Sequence, residues 1–525
     1  MYSALNPNPE TQPGSISPSS ANLASAVTVS RGASYLTIQT IIQAVAQASA
    51  FAVLTRLITP TEVGILAVLS LIIALGQALN GGAFSQAATT FIGQLTSDSK
   101  EAASAVFYQT LRVAFLFSVP ISVFVFVAAP SIASLLIGSV AQAGLFRVLA
   151  VDLLLYSGPL PVAVGTMLGM KRFKEAATIA STGIVLRQCL VVLLIIFMRS
   201  LVGLVIGWVL SDLAMLVAFA AFIIHVLGLP TKSFSLKKLI NFSWPLSIGN
   251  VVNFTYSSFD RALLIAFVPL AALGVYNAAL TAFNVLSSGV AGSVNNALLP
   301  AYSNIHGRGG LESCRRATWL ASRYASLVMI PLSFGLLATA KIALTTFVGQ
   351  AYVGGTDSLA ILSFFFAITA FGTVLSTMLV ALAETRMVMW ITVASVLLAV
   401  GSAYVLLPVM GITGASIARG LVMVASLALT IIVLKKKNAV SIDLTTLWKT
   451  LVAGGVMACV LVLVQVVFYS WALLPAYMVL GGIIYLAALR LLKAVREHDI
   501  ELISKYLGTR LGFLSRVLAV ILIAK

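Results

Sequence analysis

FSWPLSIGNVVNFTYSSFDRALLIAFVPLAALGVY, residues Phe242–Tyr276, is the stretch on which the class of fold turns. It is long enough to cross a bilayer, yet it carries Pro245, two asparagines and the adjacent Asp260 and Arg261. A charge at the centre of a spanning helix costs about 2.5–3.5 kcal/mol on insertion scales, so a partner, a wet cavity or a ligand must compensate. The stretch sits in a chain of 525 residues that is 60% hydrophobic and 9% charged, with mean hydropathy +1.06. A soluble domain would be about 25% charged. The composition therefore predicts an all-α integral membrane protein.

Outward from that stretch, fourteen apolar segments of bilayer length can be drawn, from 33–55 to 473–492. An even number of spans puts both ends on one side. With that side taken as the cytoplasm, 23 basic residues fall inside and three, Arg56, Arg199 and Lys341, fall outside. The asymmetry predicts a multi-pass protein of the inner or plasma membrane with both termini cytoplasmic. It also accounts for the net charge of +17 without invoking nucleic acid. Residues 1–30, rich in Ser, Pro, Asn and Ala, read as a disordered cytosolic tail without the features of a signal peptide. Residues 448–492 hold the last two spans, and 493–525 alternate apolar and basic groups as an interfacial cytoplasmic helix does. Cys189, Cys314 and Cys459 and the three histidines are scattered, which suggests neither disulfide, metal site nor cofactor.

The two halves match at an offset of about 210 residues. Thr59-Pro-Thr-Glu-Val-Gly64 lines up with Pro269-Leu-Ala-Ala-Leu-Gly274, Val202-Gly203 with Thr413-Gly414, and Lys171-Arg172 with Arg386. Spans 1–6 (residues 31–228) and 7–12 (residues 239–434) are thus expected to be two six-helix lobes, with two C-terminal helices added. An even unit enters the membrane from the same side twice, so the repeat is parallel, and such pairs place a substrate path between the lobes.

Ser243, Ser247, Asn250, Asn253, Ser257 and Asp260/Arg261 recur every three or four residues, which is one helix face. Asn277, Thr281, Asn284, Ser288 and Asn295 repeat the pattern in the next span. Such stripes serve either as helix–helix glue or as the wall of a wet cavity, and two adjacent amide-rich stripes favour the cavity. Further charges inside spans are Arg112, Arg147, Asp152, Arg187, Asp212 and Arg419. Arg112 and Arg147 lie near span ends, where snorkelling is an alternative. Arginines outnumber acids, and a guanidinium-lined path suits an anionic cargo. The candidate cavity residues are Arg147, Arg187, Asn250, Asn253, Asp260, Arg261, Asn277, Asn284 and Arg419. Asp152, Asp212 and Asp260 are either structural partners of these arginines or carriers of a coupling proton or sodium ion.

Four pieces of sequence carry a resemblance: Thr55-Arg-Leu-Ile-Thr-Pro-Thr-Glu-Val-Gly64; Trp244-Pro245 with Ser258-Phe-Asp-Arg261; Ala272-Leu-Gly-Val-Tyr276 with Leu299-Pro300; and Leu407-Pro-Val-Met-Gly-Ile-Thr-Gly-Ala-Ser-Ile-Ala-Arg419. Together they resemble the Wzx-type polysaccharide transporters of the multidrug/oligosaccharidyl-lipid/polysaccharide exporter superfamily, over residues 30–440. The resemblance implies a two-lobed alternating-access flippase. Its cargo would be a polyprenyl-pyrophosphate-linked oligosaccharide, moved to the outer leaflet for surface lipopolysaccharide or exopolysaccharide, with membrane lipid and polysaccharide assembly proteins as partners. The alternative is an ion-coupled multidrug or metabolite exporter of the same superfamily, which would want an acidic cavity. A membrane enzyme acting on the same lipid would want a large outer loop with clustered acids, bases or histidines. The outer loops here are short, so the chain is expected not to be an enzyme.

Overall fold

A computed structural model describes residues 20–95, 99–230 and 233–495. Helix α1, Ser20–Leu57, begins inside the stretch expected to be a disordered tail. The last proline before it is Pro18, and the Ala-rich run beyond has good helix propensity. Residues 1–19, and all but the first three of the expected interfacial helix at 493–525, lie outside the described residues.

After α1 a two-residue turn leads into α2, Pro60–Gly76, whose start is defined by local chemistry. Pro60 opens the helix, and Thr59 and Glu62 form a reciprocal capping box. The π turn Gln77–Gly81 joins α2 to α3, Gly82–Leu95. There follow α4, Lys100–Val127, the short α5, Ala129–Ile137, then α6, Ala143–Ser157, and α7, Pro159–Gly169. Two long helices, α8, Phe173–Met198, and α9, Leu201–Leu227, complete the first half.

The second half repeats the order of breaks. Helix α10, Leu236–Phe267, leads into α11, Leu270–Ala338, which breaks at Gly310. Short α12, Ala340–Val348, answers α5. The broken pair α13, Thr356–Thr369, and α14, Gly372–Ala381, answers α6 and α7. Helix α15, Thr385–Lys436, breaks at Gly411, and its two arms answer α8 and α9. Gly310 and Gly411 have φ of 64° and 54°, which an L side chain rarely adopts, so glycine is what permits each break. Helices α16, Leu444–Val467, and α17, Leu474–Leu491, are added at the end. There is no strand among the described residues.

Each of the fourteen expected stretches lies along a helix, but the count of fourteen is not reached by length and apolarity. Among the described residues, eleven helices are long and apolar enough to cross a membrane. Leu270–Val285 and Gly372–Ala381 are shorter apolar pieces, and α10, with Asn250, Asn253, Asp260 and Arg261, is not one of the eleven. This is a multi-pass membrane protein.

The repeat is also visible in how the halves touch. A Cβ on Gly64 would lie 2.0 Å from the Leu270 carbonyl oxygen, and one on Gly274 would lie 1.9 Å from that of Pro60. The start of α2 and the start of α11 therefore cross by a reciprocal contact that two glycines allow. Within each half the pattern recurs. Gly203 packs on the Leu194 carbonyl and Gly414 on that of Leu406. One apolar cluster, including Val63, Leu69, Phe146, Leu273, Tyr276, Leu359 and Leu407, runs through both halves.

Candidate functional site

A cavity of about 840 Å³ lies between the halves, walled by α1, α2, α3, α6, α7, α8, α9, α10 and α11. A second space of about 540 Å³ adjoins it along α10 and shares Ser70, Gln77, Gly82, Tyr156, Arg187, Trp208 and Arg261 with it. The π turn between α2 and α3 brings Gln77 to both. A single π turn inside a helix commonly marks a functional position. Here the Gln77 amide donates to the Tyr156 carbonyl at 2.6 Å.

The charged candidates sort into two pairings, Arg261 outside both of them, and two outliers. Arg187 on α8 is held on four sides. Its Nη1 donates to both Asp212 carboxylate oxygens at 3.0 and 2.9 Å, and its Nη2 lies 3.8 Å from Asp152. The Tyr156 and Trp208 rings sit 5.1 and 4.8 Å from the guanidinium carbon. Asp152 and Asp212 are both fully buried, and neither Asp152 oxygen has a hydrogen-bond partner. Two carboxylates thus share one guanidinium, an arrangement that one proton or one small cation neutralises. Asp212 and Arg187 face the cavity, whereas Asp152 lies behind them.

The second pairing joins Asp260 to Arg419 and not to its neighbour Arg261. Successive helix residues project about 100° apart, so the two side chains cannot share one face. Asp260 is fully buried and turns away from the cavity. Its carboxylate accepts from Arg419 Nη1 and the Tyr276 hydroxyl, both at 2.5 Å, and from the Arg261 backbone N–H at 2.8 Å. Arg419 also donates to the Ser257 carbonyl at 3.2 Å and does not line either space. Arg261 lines both. Its Nη2 donates to the Ser258 hydroxyl at 3.1 Å, its Nε is unpaired, and no carboxylate among the described residues is within ion-pair distance.

Asn277 and Asn284 line the main cavity, and Asn250 and Asn253 line the adjoining space. The outliers are the two arginines near span ends. Arg147 is exposed, outside both spaces, with its guanidinium 6.0 Å from the Phe126 ring. Arg112 is exposed as well. Both keep the charged head at the surface, where its solvation costs least.

Two features escaped the sequence reading. Six glutamines, Gln39, Gln43, Gln47, Gln77, Gln86 and Gln188, line the main cavity. Their signal was present, since Gln39, Gln43 and Gln47 recur at four-residue spacing in the first span. The other is Arg323, buried where α11 meets α16. It donates to Asp443 at 2.8 Å, to the Thr446 hydroxyl at 2.8 Å and to the Ala494 carbonyl at 2.9 Å. This cluster lies away from the cavity and ties the added C-terminal helices to α11.

At the end of the bundle where α1 meets α2, Arg56 donates across to the Thr346 and Phe347 carbonyls of α12 at 2.7 and 3.3 Å. The Phe51 and Phe347 rings are 6.2 Å apart, and the Tyr352 hydroxyl donates to the Ile58 carbonyl at 3.3 Å. The two halves meet there.

Known structures share this architecture. A lipid II flippase MurJ in an inward closed conformation superposes with TM-score 0.71 at 13% identity, over 86% of this chain and 97% of that one. An inward-facing multidrug resistance MATE family transporter of the MOP superfamily gives 0.58 at 19%, over 81% and 98%. A MOP superfamily transporter from Pyrococcus furiosus, described by the reverse polarity of its binding pocket, gives 0.53 at 18%, over 83% and 96%. These likenesses show the fold. No curated protein matches the chain in sequence. A family profile described as "Polysaccharide biosynthesis protein" matches residues 53–357.

Proposed function

The chain belongs to the polysaccharide biosynthesis protein family, whose profile covers more than half of it, and we propose that it is a flippase for a polyprenyl-pyrophosphate-linked oligosaccharide. It acts by alternating access in the inner or plasma membrane, with both termini in the cytoplasm, and delivers its cargo to the outer leaflet. The observation that carries this reading is Arg261. It presents a guanidinium without a carboxylate partner to an amide-walled space between two repeated halves. Sugars and a diphosphate cannot cross hydrocarbon unaided. A cation and hydrogen-bonding amides supply what water would otherwise supply, while the lipid tail stays in the bilayer. Arg261 is the diphosphate contact. Asn250, Asn253, Asn277 and Asn284 face the cargo from the second half. Arg187, gripped by two carboxylates and two rings, shapes the first half, and the Asp152–Arg187–Asp212 group is where a coupling proton or sodium ion would bind. The charge asymmetry of the loops supports the orientation.

A cationic-drug exporter would need a free acid in the cavity. The one acid that lines it among the described residues, Asp212, is already bonded to Arg187. Chemistry on the cargo has no support either, as the described residues of the cavity lining include no His, Cys or Glu.

The test is reconstitution into vesicles with a fluorescent polyprenyl-diphosphate oligosaccharide placed in one leaflet. Arg261→Ala is expected to slow translocation at least tenfold, with Arg261→Lys intermediate because a point charge replaces a bidentate fork. Wild-type translocation by folded Arg261→Ala protein refutes the assignment.

A further inference from the structure

The main cavity exposes little charge among the described residues. Among the described residues, its charged lining consists of Arg187, Asp212 and Arg261. Arg187 and Asp212 neutralise each other, which leaves Arg261 as the free cation among the described lining residues, in a wall otherwise made of amides, hydroxyls and apolar groups. Gln39, Gln43 and Gln47 stand one helical turn apart on α1 and so form a ladder on a single face. Gln86 on α3 and Gln188 on α8 face the same space. Gln77 is bonded to the Tyr156 carbonyl, but the side chains of the other five have no hydrogen-bond partner among the described residues.

Five unbonded amides around one cavity are too many for helix glue, which works by bonding across helices. Each amide offers two donors and an acceptor. That matches sugar hydroxyls and acetamido groups, which donate and accept in turn. It matches a carboxylate poorly, because a neutral wall returns too little for a buried charge. The ladder also lies on the first half of the chain, whereas Arg261, on α10, lines the same cavity from the second half.

We infer that Gln39, Gln43 and Gln47 form the glycan-reading wall, and that the sugar part of the cargo is an uncharged oligosaccharide rich in hydroxyl or acetamido groups. This rests on the transport reading above and adds a division of labour to it. Helix α10 holds the anionic end through Arg261, and α1 reads the neutral sugars. A glycan bearing uronate or sialate groups gains nothing from the ladder.

The experiment uses the purified full chain and three probes in detergent: a polyprenyl diphosphate alone, the same lipid carrying a disaccharide of N-acetylhexosamines, and the same lipid carrying a disaccharide that ends in a uronic acid. Binding is read by intrinsic fluorescence, since Trp208 lines the cavity. Wild type is expected to bind the neutral disaccharide lipid at least tenfold more tightly than the bare lipid, and the uronate lipid no more tightly than the bare one. The Gln43→Leu/Gln47→Leu variant, which keeps the helix apolar enough to insert, is expected to lose the neutral-sugar advantage while binding the bare lipid as wild type does. Retention of that advantage by the variant, or a wild-type preference for the uronate lipid, overturns the inference. Should the leucine pair fail to fold, Gln43→Glu replaces it with nearly the same shape. It is expected to weaken uronate-lipid binding at least threefold further, and unchanged uronate binding overturns the placement of the ladder. Wild type that binds bare diphosphate without sugar preference defeats this inference alone. Wild type that binds none of the three defeats the transport reading with it.

Discussion

Removal of the Asp260 carboxylate is expected to destabilise the protein through a partner 159 residues away. Asp260 is fully buried and takes three donors: Arg419, the Tyr276 hydroxyl and the Arg261 backbone N–H. In Asp260→Leu, Arg419 keeps only the Ser257 carbonyl. Breaking a buried pair from one side costs about 3–5 kcal/mol, whereas replacing both partners by apolar groups of similar volume is often neutral. At about 1.4 kcal/mol per tenfold, the single change lowers the folding constant by about two to three and a half decades. Asp260→Leu/Arg419→Met removes both charges and leaves one orphan, the Tyr276 hydroxyl, worth about 1–3 kcal/mol. Adding Tyr276→Phe removes that orphan and is expected to return stability close to wild type. The assay is equilibrium unfolding in mixed micelles with rising dodecyl sulfate fraction, followed by tryptophan fluorescence. If the single effects simply add in the double variant, the pair is not a coupled unit and the reasoning fails.

The same assay tests the reciprocal glycine contact. Gly64→Ala and Gly274→Ala each drive a Cβ into backbone and are expected to cost about 1–3 kcal/mol or more, while Gly401→Ala, with open space around it, gains about 0.5–1 kcal/mol from helix propensity. Arg56→Ala removes donors from the exposed C-terminal carbonyls of α12, which are worth only about 0.3–1 kcal/mol. Its expected effect is therefore on opening, with a Ser70→Cys thiol in the cavity labelled faster by an impermeant maleimide added on the Arg56 side. At the C-terminal junction, burial pushes the Asp443 carboxyl up, but hydrogen bonds from Thr446 and Arg323 outweigh it and hold the group below the usual carboxylate range. A carboxyl depressed in the folded state stabilises above its unfolded value of about 3.9 and loses that contribution as pH falls through the folded value. Unfolding profiles are thus expected to be flat in this contribution from pH 5 to 8 and to decline below about pH 4, with a shallower acid limb in Asp443→Asn.

Some of this organisation is local and can be read along the chain. The apolar runs, the capping box at Thr59 and Glu62 and the glycines at 64 and 274 follow from bilayer thickness, helix-end chemistry and a repeat in the letters themselves. The amide stripe on α10 is equally readable, because a period of three to four residues places Asn250, Asn253, Ser257 and Arg261 on one face without knowledge of any neighbour. The short helices α5 and α12 are not legible in this way, since nine residues are too few to stand out by length.

What composition and periodicity determined is that buried charges in these spans need partners and that a polar path runs between two halves. Which acid meets which arginine was decided only by packing. Asp260 could have been assigned to its neighbour Arg261, yet it is bonded to Arg419, and Arg187 binds Asp212 on the next helix. The reason is geometric: helix periodicity says which side chains share a face, but what that face meets depends on how helices distant in sequence are laid side by side. That packing takes the charge of Asp260 out of the cavity and leaves Arg261 there as the free cation among the described residues.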